Sequence, residues 1–332
     1  MTLLTAKDLR VCIGGVEIVR LEELTIERGR HLAIVGESGS GKTMTAMSLI
    51  GLQPKDAVVS GSVRLGEQEI LQARERDLRL VRGLQVGVVF QDPLRSLNPT
   101  MRVGRQVEEA LRLHEDLTGR ERKARVLALL ERVRLPDPGE IARRYPHELS
   151  GGQRQRILIA GAIACQPQLL IADEPTTALD VTVQNEILEL LRELSRDEEM
   201  SVLLISHNLG VVRSLCQEVA VMYGGHLVER GSIADVIARP RHRYTKALID
   251  ANPRFDPSEP GMFDEPLRGI PGTVPAAGRL PAGCPFRGRC EAEVEQCSAM
   301  PQFTAAGPHH AFRCWNPVPG ELRSGNRAKV AQ

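Results

Sequence analysis

Eight residues, Gly36-Glu37-Ser38-Gly39-Ser40-Gly41-Lys42-Thr43, combine three glycines with a lysine and a hydroxyl. Glycines at this spacing let backbone N–H groups converge on an anion, and a helix opening at Lys42 adds the partial positive charge of its N-terminus. Such a loop cradles a nucleotide triphosphate: Lys42 reaches the β- and γ-phosphates, and the Thr43 hydroxyl takes a place on magnesium. A glycine-rich turn that binds nothing would share the glycines but not their flanks. Here the apolar run His31–Val35 precedes the loop and helical sequence through Leu49 follows it.

Two adjacent acids, Asp173 and Glu174, follow the apolar run Leu169–Ala172. At a strand end near bound phosphates, Asp173 holds magnesium through a water and Glu174 orients or deprotonates the attacking water. Without the loop upstream the pair would read as a solvated sheet edge. His207 ends the run Val202–Ser206, where a neutral imidazole can contact a γ-phosphate, and Gln91 ends Val86–Phe90. Each alone reads as an ordinary structural side chain. The string Leu149-Ser150-Gly151-Gly152-Gln153 has no evident work on the same nucleotide. Ser150 caps a helix through Arg154–Cys165, and the glycines leave N–H groups exposed for a phosphate carried by another molecule.

Strands and helices must alternate to position these strings. The chain of 332 residues allows one large α/β domain plus an appendage. Hydrophobic residues at 42% and charged residues at 26% are those of an ordinary globular protein, and a net charge of +1 argues against a surface that coats nucleic acid. The apolar stretch Ile157–Cys165 is far short of a membrane span, and the N-terminal residues carry no signal-peptide pattern, so a membrane role is expected to come through a partner. From Pro93 to Pro146 the texture becomes Arg/Glu/Leu-rich, with helices expected over Val103–His114 and Arg120–Arg132. Beyond Asn252 helical periodicity fades and more than half of the 21 prolines are found. A boundary is therefore expected near residues 250–255, followed by a loop-rich extension.

That extension holds Cys284-x5-Cys290-x6-Cys297-x16-Cys314. A small segment with little core commonly needs a metal or cluster staple, and a reducing cytosol disfavours disulfides. The thiols alone leave an iron–sulfur cluster, zinc and unligated cysteines open, although structural zinc more usually shows close Cys-x-x-Cys pairs. Arg287 and Arg289 are placed to offset thiolate charge. His309 and His310 read as exposed loop residues, with a ligand role open to either. Cys12, Cys165 and Cys216 read as small packing residues.

With these strings in order, the chain resembles the ATP-binding cassette (ABC) ATPases, specifically the nucleotide-binding subunits of bacterial oligopeptide and dipeptide importers. The resemblance spans nearly the whole length. It makes Gly36–Thr43 the Walker A loop, Gln91 the Q-loop (with a place beside magnesium) and Leu149–Gln153 the signature. Leu169–Asp173 becomes Walker B with Glu174 as catalytic base, Ala178-Leu179-Asp180 the D-loop and His207 the switch histidine. Gln91-Asp92-Pro93, Ser96-Leu97-Asn98-Pro99, Asp173–Thr182 and the tail string Leu280-Pro281-x-Gly283-Cys284-Pro285-Phe286-x-x-Arg289-Cys290 are similar to the peptide-importer branch in particular.

The fold so implied is α/β: a P-loop cassette over residues 1–251 with a RecA-like core sheet, an antiparallel β subdomain and a helical subdomain over about 92–165, then an extension over 252–332. The function implied is an ATPase that drives a peptide-type importer by closing and reopening a dimer. Its cofactors would be ATP, Mg2+ and a [4Fe-4S] cluster, with Zn2+ as the alternative. Its partners would be a second, related ATPase chain, two transmembrane permease subunits and an extracytoplasmic solute-binding protein, with no nucleic acid and no cargo contact. The resemblance places it on the cytoplasmic face of the bacterial inner membrane. Nickel chelates or other small solutes remain alternative cargoes, and a non-transport cassette with a redox-sensing tail is the rival from another class. Two departures stand out. Ile13 occupies the place where the family usually stacks adenine on an aromatic ring, which implies weaker and less selective base recognition. Asn208 follows His207 where aspartate is common.

Overall fold

All five residues of the run His31–Val35 are buried, and they form a strand in the middle of a sheet. The computed structural model describes residues 1–177, 179–251 and 269–319. Ala178 of the D-loop string, the expected boundary from residue 252 onward and the end of the extension lie outside the described residues.

The strands in chain order are β1 (Thr2–Ile13), β2 (Val16–Glu27), β3 (His31–Val35), β4 (Ala57–Leu65), β5 (Gln68–Glu69), β6 (Val86–Val89), β7 (Leu169–Asp173), β8 (Ser201–Ser206), β9 (Glu218–Tyr223), β10 (His226–Ser232), β11 (Thr304–Gly307) and β12 (His310–Phe312). They join in one 12-stranded sheet whose main path runs β5-β4-β1-β2-β10-β9-β3-β8-β7-β6. Strands β9, β3, β8, β7 and β6 are parallel neighbours. Both faces of β3, β7 and β8 are covered, so their residues are continuously apolar rather than alternating. Strands β1, β2, β4 and β5 pair antiparallel, and on β1 and β2 buried residues are interspersed with exposed ones, as in a half-solvated sheet.

Ligands gather at the carboxyl ends of parallel strands. Strand β3 runs into the glycine loop, β6 into Gln91, β7 into Glu174 and β8 into His207. Between β6 and β7 stand the helices Pro93–Ser96, Val103–His114, Gly119–Arg132, Pro138–Ile141 and Gly151–Ala162. Val107, Leu111, Val126, Leu129, Leu130 and Ile157 lock this helical insertion into the main core. Arg156 ties it to the next helix, Val181–Asp197, through its bonds to the Val133 carbonyl (3.0 Å) and Glu186 (2.7 Å).

The Cys-containing segment shares its core with the cassette. Cys284, Phe286 and Cys297 belong to the same buried cluster as β3 and β9 residues. Strand β12 pairs with β10 at Glu229↔Phe312 and Arg230↔Ala311, so the C-terminal hairpin extends the cassette's own sheet. Among the described residues, no helix is long and apolar enough to cross a membrane.

Candidate nucleotide site

The glycine loop is built by two close approaches. A Cβ on Gly36 would stand 2.2 Å from the Met222 carbonyl oxygen, so no side chain fits there. Gly41 caps the helix Lys42–Ser48 with φ +93°, a left-handed conformation that a larger residue adopts only with strain. Ser38 and Gly39 are exposed at the loop tip, while the Ser40 side chain is buried without a partner. Lys42 is buried and donates from Nζ to the Gly36 carbonyl (2.9 Å) and the Glu37 carbonyl (3.0 Å). Burial pushes its pKa down, opposed by the charges of Glu174, Asp173 and Glu37. These acids offset part of the cost of burying the ammonium, which sets a positive charge beside the glycine loop.

The end of β7 supplies the opposing acids. Asp173 is 2% exposed, hydrogen-bonds the Thr43 side chain and leaves Oδ1 without a partner. Burial raises its pKa; the Thr43 bond opposes that shift, the Glu174 charge adds to it and Lys42 opposes it. A buried, half-satisfied carboxylate beside a hydroxyl fits a divalent cation, with Thr43 and Asp173 as the residues that would hold it.

Three side chains from three elements converge on Glu174. Gln91 Nε2 donates to Oε2 (3.0 Å), the Thr177 hydroxyl donates to the same oxygen (3.0 Å), and His207 Nδ1 lies 3.1 Å from Oε1. Glu174 itself has φ +46°, unusual for a residue with a Cβ, and its N–H donates to the Ile205 carbonyl at 2.9 Å. That strained turn aims the carboxylate across the strand ends. Gln91 meets Glu174 directly, so in this state it serves the acid rather than a metal position. Thr177 is the partner that sequence reading missed.

The signature string stands apart from the loop. Ser150 caps Gly151–Ala162 in a capping box: its Oγ accepts from the Gln153 N–H (3.2 Å) while its own N–H donates to Gln153 Oε1 (3.0 Å). The helix follows its Ser150 cap as expected and ends at Ala162, short of Cys165. No hydrogen bond or ion pair joins residues 149–153 to 36–43 among the described residues. Cβ atoms built on Gly151 and Gly152 would instead meet Leu179 and Val183. Asp180 caps the helix Val181–Asp197, accepting from the Val183 N–H at 3.0 Å. Ile13 sits half-buried at the end of β1, paired with Val16 across the hairpin.

Several expectations for the tail need correction. Arg289 does not face the thiols: it pairs with Glu37 of the glycine loop at 2.9 and 3.1 Å, because that carboxylate supplies two acceptors in its reach. Arg287 pairs with Glu293 at 3.2 Å. His310 is buried, not an exposed loop residue, and donates to Glu229 at 2.7 Å. Cys165 and Cys216 are buried packing residues, whereas Cys12 is half-exposed.

All four tail cysteines are free. Cys284 is pushed up to about 11 by burial, with the neighbouring thiols Cys297, Cys314 and Cys290 adding to the shift. These thiols therefore lie near one another. Among the described residues, however, no three His, Cys, Asp or Glu side chains stand where a single ion could be held.

The profile described as "ABC transporter" matches residues 21–177, and that of the "Oligopeptide/dipeptide transporter, C-terminal region" matches residues 228–297. The chain is 46% identical over 307 residues to the "Probable D,D-dipeptide transport ATP-binding protein DdpD" of Escherichia coli (strain K12), covering 92% of each chain. It is 44% identical to the "Oligopeptide transport ATP-binding protein OppD" of Salmonella typhimurium, over 95% of this chain and 94% of that one. Among solved structures it is similar to the dimeric post-hydrolysis state of the ATP-binding cassette MJ0796 bound to ADP and Pi, with TM-score 0.62 and 27% identity, over 70% of this chain and 99% of that one. Sheet, glycine loop, paired acids and these likenesses agree: the chain belongs to the ABC transporter ATP-binding proteins, in their oligopeptide/dipeptide transport family.

Proposed function

We propose that this ABC ATPase uses Glu174 as its general base and powers the import of peptides or similar small solutes. The observation that carries the reading is the convergence of Gln91, Thr177 and His207 on one carboxylate, beside the Asp173–Thr43 pair and Lys42. Residues 36–43 bind the phosphates, Lys42 compensates their charge, and Glu174 takes the proton of the attacking water while His207 and Gln91 hold its carboxylate in place. Magnesium, when bound at Thr43 and Asp173, supplies charge neutralisation for the phosphates. Ile13 offers the base an aliphatic wall.

Ser150 and Gln153 already satisfy each other, so the N–H groups of Gly151 and Gly152 are what the signature can offer to ATP on a second cassette. The dimeric state of the similar cassette MJ0796 supports that pairing. The partner cassette is a related chain. One of two permease subunits would dock on the groove of about 410 Å³ between β6 and the helical insertion, where Phe90 and Leu113 are exposed, the other on the second cassette, and a solute-binding protein would deliver cargo outside the cell. This chain would then be peripheral on the cytoplasmic face of the inner membrane, without touching cargo or nucleic acid. Residues 1–251 serve as the cassette and 252–332 as its extension, and Cys284, Cys290, Cys297 and Cys314 would hold a [4Fe-4S] cluster.

Glu174→Gln tests the reading. The amide keeps the shape and can still bond Gln91 and Thr177, but it cannot take a proton. ATP turnover should fall by roughly 10²–10⁴-fold with nucleotide binding retained. Turnover within twofold of the wild type would remove Glu174 from the role of base.

A further inference from the structure

Arg289, one residue before Cys290, spends its whole guanidinium on two tasks. Nη1 and Nη2 grip the Glu37 carboxylate at 2.9 and 3.1 Å, and Nη1 also donates to the Tyr223 hydroxyl at 3.1 Å. Nε and Nη2 donate to the carbonyls of Pro271 (2.7 Å) and Gly272 (3.2 Å), which orders the preceding stretch of the tail. The arginine side chain is only 7% exposed and that of Glu37 26%. Its carbon lies 5.7 Å from the Tyr223 ring centre and 5.9 Å from that of Phe286.

A second anchor reaches the same loop residue from another direction. The Glu37 N–H donates to the Tyr244 hydroxyl at 2.7 Å, and Tyr244 packs edge-on to Tyr223 and against Phe286. Glu37 is thus held by backbone and by side chain, and the Gly36 and Glu37 carbonyls are the ones that hold Lys42 Nζ. A carboxylate inside a phosphate loop repels the polyanion the loop must bind unless a cation compensates it. The compensating cation comes from a segment some 250 residues away in sequence.

We propose that Arg289 is a positioning residue of the nucleotide site: by neutralising Glu37 and fixing the Gly36–Glu37 backbone, it makes MgATP binding depend on the Cys-containing C-terminal segment. This rests on residues 36–43 being the phosphate loop. Loss of a bidentate, largely desolvated ion pair removes an interaction of the strong class, so Arg289→Ala should weaken binding by about 10- to 100-fold. Arg289→Lys, with one ammonium in place of the fork, should recover only part of that. Removing the uncompensated charge as well, in Glu37→Gln/Arg289→Ala, should restore most of the affinity.

The experiment is equilibrium titration of the full-length protein with a fluorescent ATP analogue and magnesium, with Lys42→Ala as the control. If Lys42→Ala binds like the wild type, the phosphate-loop assignment fails. If Lys42→Ala loses binding while Arg289→Ala stays within twofold of the wild type, the proposal fails. It fails equally if the double variant is as weak as Arg289→Ala, because a merely structural arginine would not be rescued by Glu37→Gln. Should Arg289→Ala not fold, hydrogen exchange on the wild type decides. Coupling is reciprocal, so MgATP must slow amide exchange in residues 271–290, and unchanged exchange there overturns the proposal.

Discussion

Glu229 is fully buried on β10, yet its carboxylate is matched on every side. Oε1 accepts from the Arg241 N–H (2.7 Å) and from His310 Nε2 (2.7 Å), and Oε2 accepts from the His242 N–H (2.8 Å). One side chain therefore fastens the sheet to the entry of the helix Arg243–Asp250, which carries Tyr244, and to strand β12 of the C-terminal hairpin. Glu229→Ala strands three buried donors. Each unsatisfied donor costs about 1–3 kcal/mol, and some of that returns as water enters the space left behind. The net loss expected is about 3–5 kcal/mol, the scale for breaking a buried ionic contact from one side. At roughly 2 °C per kcal/mol for a chain of this length, the melting temperature should fall by about 6–10 °C. Glu229→Gln keeps the volume but turns an amide donor toward one of the existing donors, so it should fall between the two. Differential scanning calorimetry on the three proteins reads this directly. If Glu229→Ala melts within about 2 °C of the wild type, the three hydrogen bonds do not hold the hairpin and the reasoning is wrong.

Two further outcomes follow from the thiols and from two histidines, His242 buried and His226 half-buried. Burial lowers His242 to about 3 and His226 to about 4, with the Arg313 charge adding to both. Each is neutral in the fold and titrates near 6.5 when unfolded. Their contribution to stability is complete above pH 6.5 and is lost progressively as the pH falls toward 4. Melting temperature should accordingly be flat from pH 7 to 8 and drop below pH 6.5. His242→Asn, which keeps an acceptor for the Tyr244 N–H, should flatten that drop, and an unchanged acid limb would clear His242 of the effect. The purified protein should be brown, and Cys284→Ser should abolish the visible absorption band. A band that survives the substitution excludes Cys284 as a cluster ligand.

Local chemistry made much of the cassette legible. The short apolar runs ending in Gly36, Asp173 and His207 fit strands covered on both faces, and each appears within a residue or two of its expected limits. Val103–His114 was readable to the residue from its amphipathic period, and the neighbouring helix begins one residue earlier than expected, at Gly119, because Thr118 and Glu121 close a capping box. The helix after Ser150 begins at Gly151, as its expected cap requires, and Gln153 completes a capping box there.

The tail was the opposite case. Its prolines and cysteines promised a loop-rich extension, yet they do not say which surface it covers. Arginines beside cysteines suggested charge compensation within the tail, and His310 looked like a loop residue. Both partners, Glu37 and Glu229, lie in strings with jobs of their own, and no periodicity connects residues so far apart.

The glycine loop, the paired acids, the cap at Ser150 and the apolar runs of β3, β7 and β8 were determined by the sequence itself, because each depends on neighbours within a few residues. Tertiary structure alone decided that Gln91, Thr177 and His207 meet at Glu174, and that the tail reaches back to grip the glycine loop. Those contacts are set by how the sheet orders its strands and by what it buries, and a buried charge takes whichever partner the packing delivers.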